Sequence, residues 1–230
     1  MTVDFPSAKG VQLTARVPKR LRPLLVALLL TSLVGISACG SDSEDKASGG
    51  GGAKPVEMAF LTSMVHHHET AIEMADIAKK RGQSPFVKGL AGNIVATQEN
   101  EMEQMRSIYQ RLFNAKLEPD PMGHDGLGLT AEEAGMTHSP ATNATLLGAD
   151  PFDRAFVDEM EPHHTGAVKM AEVVLESTED AELRKLAEGI VSTQEREIEE
   201  MNSFREQKYG APVPSPSGED GGEHGGGHSG

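Results

Sequence analysis

The stretch FLTSMVHHHETAIEMA, Phe60 to Ala75, returns ninety-six residues later as FVDEMEPHHTGAVKMA, Phe156 to Ala171. The second copy keeps the phenylalanine, both methionines, two histidines and two alanines in register. It replaces His66 with Pro162. The match does not stop there. LAGNIVATQENEMEQM (Leu90 to Met105) aligns with LAEGIVSTQEREIEEM (Leu186 to Met201) at the same spacing, with no gap between the two matches. A long self-match at fixed spacing marks a duplicated structural unit.

Each unit reads as a pair of helices. Ser84-Pro85 and Asp150-Pro151 place a capping side chain before a proline at the first helical position. Basic residues Lys79, Lys80 and Arg81 precede Gly82, as suits a helix C-terminus, and Gly210 with Pro212 ends the last helix. These signals predict helices at about 55–81, 84–115, 151–178 and 180–209. At about 1.5 Å per residue, such rods run roughly 40–45 Å. The fold class is therefore all-α: a four-helix bundle over 55–209, built from hairpins 55–115 and 151–209. The crossover, 116–150, shows no apolar period and is expected to lie outside the core, so that shortening 120–145 would leave the helices intact. The tail, 210–230, rich in glycine, is expected to be disordered.

Placing residues at about 100° per step shows where the side chains point. Phe60, Leu61, Met64, Ala71 and Ala75 form an apolar stripe, and His67 and His68 fall within it. Met74 lies on the His67 side, whereas His66 lands on the opposite face, toward solvent. The repeat thus drops the outward histidine and keeps the inward pair, His163 and His164. On the second helix, Gln98 sits amid Ala91, Ile94, Val95, Met102 and Met105, with Glu101 at the stripe's edge. Gln194 and Glu197 repeat this pattern. Each hairpin directs two imidazoles, a thioether, an amide and a carboxylate inward.

Buried histidines are often just hydrogen-bonded core residues, and methionines at helical spacing are usually filler. Two identical layouts of costly inward imidazoles point instead to ligation, by His67, His68, His163 and His164, with Met64, Met160, Met74 and Met170 as soft partners. Gln98, Glu101, Gln194 and Glu197 are placed to orient the imidazoles. Imidazole with thioether leans to copper, and zinc rarely takes methionine. Iron is disfavoured: a di-iron centre needs Glu-x-x-His from two helices, and Glu161 to His164 supplies it once, while Val65 stands at the first copy's glutamate position. The crossover adds two Met-x-His pairs, Met122 with His124 and Met136 with His138; His224 and His228 lie in the tail.

The N-terminal residues read as an export signal. Lys19, Arg20 and Arg22 precede the apolar LLVALLLTSLVGISA, which stops at the chain's single cysteine, Cys39. ISAC resembles the lipobox of bacterial lipoproteins, which implies cleavage of 1–38, lipid on Cys39, and a protein held at the outer face of the cell membrane. Residues 39–54 then form a glycine-rich tether. Residues 1–38 carry a net charge of +4 within a chain of −14, so the remainder carries −18. That charge excludes nucleic-acid binding by general electrostatics and suits cation partners. No protein partner is legible, and no nucleophile triad or phosphate loop is present.

The doubled pattern Met-x-x-His-His-x-x-Ala-x-x-Met-Ala, followed by a helix with Gln-x-x-Glu, resembles the bacterial ferritin-like family catalogued as domain of unknown function 305. The resemblance covers about residues 55–209. It implies a ferritin-like four-helix fold, and an association with copper in some members. His66 departs from the proline common in the motif. Three functions follow as expectations: an exported lipoprotein that buffers or hands on copper, a di-metal oxidoreductase, or a partner-binding bundle without metal.

Overall fold

The computed structural model describes residues 55–214. Cys39, the signal and tether, and the tail histidines lie outside them. Four long helices carry the fold: α1 (Pro55–Arg81), α2 (Pro85–Phe113), α4 (Phe152–Ser177) and α5 (Ala181–Tyr209). Helix α1 packs against α2 and α4, and α5 packs against α4 and α2, which closes a bundle. Contacts of Ser63 with Met170 and of His67 with His163 show that α1 and α4 run antiparallel. No described helix is long and apolar enough to cross a membrane.

Local chemistry sets the helix ends. Ser84 Oγ accepts from Val87 N at 3.2 Å, ahead of Pro85. Asp180 caps α5 through Leu183 N at 2.9 Å. Asn114, at φ 50°, closes α2 in the left-handed conformation its short polar side chain tolerates. At the start of α4 the expected cap differs. Asp150-Pro151 is a cis peptide, Pro151 itself takes the cap position, and no side chain caps the helix.

Each hairpin's turn is held by a carboxylate from the other. Asp153 accepts from Gln83 N and Ser84 N, both at 2.7 Å. Its counterpart ninety-six residues earlier, Glu57, is buried and accepts from Thr178 Oγ1 at 2.7 Å in the α4–α5 turn.

The apolar core has two parts. One gathers Phe60, Met64, Met105, Ile108, Met170 and Leu183. The other gathers Met74, Val87, Ile94, Phe152, Phe156 and Met160. Burying each such side chain contributes roughly 1.5–3 kcal/mol. Between the parts, on helix positions intermediate in sequence, lie the buried polar residues His67, His68, Gln98, Glu101, His163, His164, Gln194 and Glu197.

The crossover corrects the expectation that it lies outside the core. It forms a 3-10 turn (Gly123–Leu127) and a short helix, α3 (Pro140–Gly148), which begins with a Ser139–Thr142 capping box. Leu117, Leu127, Ala134 and Leu146 are buried. Single residues dock here one at a time, so no helical period announces them. Close backbone approach does the rest. A β-carbon at Gly166 would overlap the backbone of Ala134 and Gly135, and Gly135, at φ 65°, lies over the carbonyls of Pro162 and His163. The tail expectation also changes at its start: Val213 N donates to Asn202 Oδ1 at 2.9 Å, and Arg205 Nη1 to the Ala211 carbonyl at 2.9 Å.

Candidate metal centre

Positions 67–68 on α1 and 163–164 on α4 face the bundle axis, and the antiparallel packing brings them to one level. All four imidazoles are buried. The nearest pair joins the two hairpins: the His67 and His163 ring centroids are 3.7 Å apart, against 6.2 Å for His67–His68 and 6.5 Å for His163–His164. The hairpins therefore contribute to one shared layer.

Hydrogen bonding assigns the tautomer of every ring. His68 Nε2 lies 2.8 Å from Glu101 Oε2, and His164 Nε2 lies 2.8 Å from Glu197 Oε2. A carboxylate accepts, so Nε2 carries the proton in both. His67 Nε2 donates to the His163 carbonyl at 3.0 Å. His163 Nε2 lies 2.8 Å from Thr70 Oγ1, and that hydroxyl gives its own proton to the His67 carbonyl at 2.8 Å. The threonine oxygen must then accept, and His163 Nε2 is protonated too. In all four rings Nε2 is the bonded nitrogen, and all four Nδ1 atoms are buried without a hydrogen-bond partner. Burial first, then the neighbouring imidazoles (His68 for one, His67 for the other), hold His67 and His163 well below the ordinary histidine value of 6.5. These two rings stay neutral, the form in which imidazole binds metal.

Glu101 and Glu197 thus hold one imidazole each, the arrangement in which a carboxylate fixes the ring's tautomer and orientation. Gln98 and Gln194, expected to orient the imidazoles, make no hydrogen bond to them, and both ends of each amide are buried without a partner. Met64 and Met170 belong to one apolar cluster, Met74 and Met160 to the other, so thioethers flank the layer on both sides. Ser63 Oγ reaches Met170 Sδ at 3.8 Å. Among the described residues no group of three or more His, Cys, Asp or Glu is arranged to hold a metal ion.

Several residues sit differently from their sequence reading. His66 is half-buried rather than out in solvent, because α1 is covered by the 3-10 turn and α3 as well as by α2 and α4. Of the Met-x-His pairs, Met122 is exposed while His124 is buried and donates from Nδ1 to the Pro121 carbonyl at 3.1 Å. His138 is half-buried in a pocket beside α4 that His163 also lines. Thr70 was missed. Its signal was a departure within the repeat, since its counterpart is Gly166.

Solved structures resemble this bundle. CopM in its Cu(I)-bound form is 31% identical, with a TM-score of 0.56, over 66% of this chain and 97% of that one. CopM has also been solved in Cu(II)-bound and Ag-bound forms. A DUF305 protein from Streptomyces coelicolor is 26% identical, with a TM-score of 0.61, over 70% of this chain and 97% of that one. An uncharacterized protein of Acanthamoeba polyphaga mimivirus is 34% identical over 56 residues, and the chain spans 37% of that relative's length. The pattern of the DUF305 family, a domain of unknown function, matches residues 57–221, most of the chain and nearly all of the bundle, and the chain belongs to that family.

Proposed function

We propose that the polar layer binds copper as cargo, and that the protein buffers copper or hands it on outside the cytoplasm. The observation that carries this reading is the set of four buried Nδ1 atoms without a partner, while every Nε2 is hydrogen-bonded elsewhere. A buried polar atom without a partner costs about 1–3 kcal/mol, and an ion bound at these nitrogens would offset that cost. His67, His68, His163 and His164 are the nitrogen donors, and Met64, Met160, Met74 and Met170 the soft sulfur donors. That mixture favours copper, especially Cu(I). The copper-bound forms of CopM support the same choice. Against an oxidoreductase of di-iron type, Glu101 and Glu197 already serve the imidazoles, and Val65 stands where a second Glu-x-x-His would need its glutamate.

Copper titration of the full chain tests the reading. The wild type and His66→Ala should bind alike, and His67→Ala with His68→Ala should lose binding. Normal binding by the double variant would make the histidines core residues and leave a bundle without metal as the better account. Export and lipid anchoring rest on the sequence around Cys39 alone. Cys39→Ser should move the protein out of the membrane fraction or leave the signal uncut, and wild-type protein found uncleaved in the cytosol would defeat this part.

A further inference from the structure

The α2–α5 face differs at the two ends of the bundle. Where α2 finishes and α5 starts, Arg111 bridges the helices. Its guanidinium donates to both oxygens of Asp180 at 2.8 Å and to Glu182 Oε2 at 3.0 Å. In the repeat, Gln207 stands at the position of Arg111, and Phe86 at the position of Glu182. The opposite end of the face therefore cannot be closed by the same ion pair.

That end carries instead a groove of about 450 Å³, lined by Phe86, Glu199, Glu200, Ser203, Phe204 and Gln207. Its apolar part is a pair of stacked rings. Phe86 and Phe204 have centroids 4.6 Å apart and planes 16° apart, and both are half-buried. The counterpart of Phe204 in the first hairpin is Ile108, which is buried in the core. The rest of the lining is polar and acidic. Glu200 is paired with Arg196 at 2.9 Å, whereas Glu199 and Gln207 have no side-chain partner among the described residues. None of the lining residues is a cation. Arg205, next along α5, is committed elsewhere: it is buried, with Nε on Asp158 Oδ1 at 2.7 Å and Nη1 on the Ala211 carbonyl at 2.9 Å.

We propose that this groove docks a basic segment of a partner protein, with an arginine side chain laid on the Phe86–Phe204 pair and its guanidinium bound to Glu199. An aromatic face beside a free carboxylate suits the flat, forked guanidinium better than the compact ammonium of lysine. The other end of the same face shows the match, because there the chain's own arginine lies against carboxylates. The charge of −18 beyond residue 38 favours a cationic partner and repels a second copy of this chain. The lining includes no residue of the polar layer, so the docking stands apart from whatever that layer binds.

The test is titration of the isotope-labelled full chain with the peptide tetra-arginine, followed by NMR. Ring signals of Phe86 and Phe204 and amide signals of Glu199 and Gln207 should move, and those around Arg111 should stay. Phe204→Leu and, separately, Glu199→Gln should each raise the dissociation constant by about two- to fivefold, the scale of one exposed cation–π contact or ion pair. Tetra-lysine should bind more weakly than tetra-arginine. Glu103→Gln removes the same charge at the equivalent, exposed position of α2 and should bind like the wild type. Circular dichroism checks the fold of each variant, and Glu199 is exposed, so its replacement leaves the core untouched. Unmoved signals at Phe86 and Phe204, or wild-type affinity in both groove variants, would overturn the proposal. Equal affinity for tetra-lysine, or equal weakening by Glu103→Gln, would also overturn it, since the attraction would then belong to overall charge. A dimer in sedimentation that Phe204→Leu dissociates would give the groove to a second copy and overturn it as well.

Discussion

Where the two hairpins meet, the first presents Thr70 and the second, at the equivalent position, Gly166. The hydrogen bonds made by the two glutamates are equal at 2.8 Å, so the halves are alike at His68 and His164. They part at the central pair. His67 donates straight to the His163 carbonyl, whereas His163 reaches the His67 carbonyl through the Thr70 hydroxyl. Gly166 has no side chain to do the same, and the space is taken by the Ala134–Gly135 backbone of the crossover. A duplicated hairpin has one crossover, which can lie against only one of two equivalent faces. At this position the sequence accommodates it with a threonine in one copy and a glycine in the other.

The sharpest way to break this comparison is to restore symmetry. Gly166→Ala puts a β-carbon into backbone that cannot swing aside, and we expect a loss of roughly 3 kcal/mol, at the upper end for overpacking. Urea denaturation measures it, and an unchanged midpoint would mean the crossover is free to lift. The pH dependence asks where the halves remain the same. His67 and His163 both sit below the value of 6.5 that the unfolded chain has, so the unfolded state takes up protons first as pH falls. Their contribution is fully present above about pH 6.5 and is lost below it, by roughly 2 kcal/mol between pH 6.5 and 5.5 for the pair. Denaturation midpoints across that range, compared with His163→Gln, should show the variant losing half of the slope. A smaller effect comes from Thr70→Val, which keeps the shape but leaves the His163 N–H without its acceptor, at about 1–2 kcal/mol. Thermal denaturation should place it between the wild type and Gly166→Ala. The smallest has the opposite sign. Gly89, exposed on α2 with nothing near its missing β-carbon, should accept alanine with a gain of about 0.5–1 kcal/mol. The contrast with Gly166 separates a glycine the fold requires from one it does not.

Helix limits and the burial of the four histidines were legible because both follow from local rules: a 3.6-residue period, capping residues, and proline and glycine at the ends. The duplication made these signals visible twice. What escaped reading depends on residues brought together across the chain. His163 meets Thr70 over a separation of 93 residues, and no window of sequence contains both. The crossover misled for the same reason, since Leu127, Ala134 and Leu146 bury themselves singly in gaps that α1 and α4 create. Gln98 and Glu101 share a helical face, which predicts one role for both. Atomic reach separates them, because the carboxylate touches an imidazole and the amide does not.

The exchange of carboxylates between the turns bears on how the molecule comes apart. Asp153 of α4 secures the first amides at the α1–α2 turn, and Glu57 of α1 secures the α4–α5 turn. Either hairpin, released from its neighbour, leaves the other with a frayed turn and an uncovered apolar face. Partial opening therefore costs nearly as much as complete opening, and the bundle should melt in one step, with slow-exchanging amides in both hairpins reporting the same free energy.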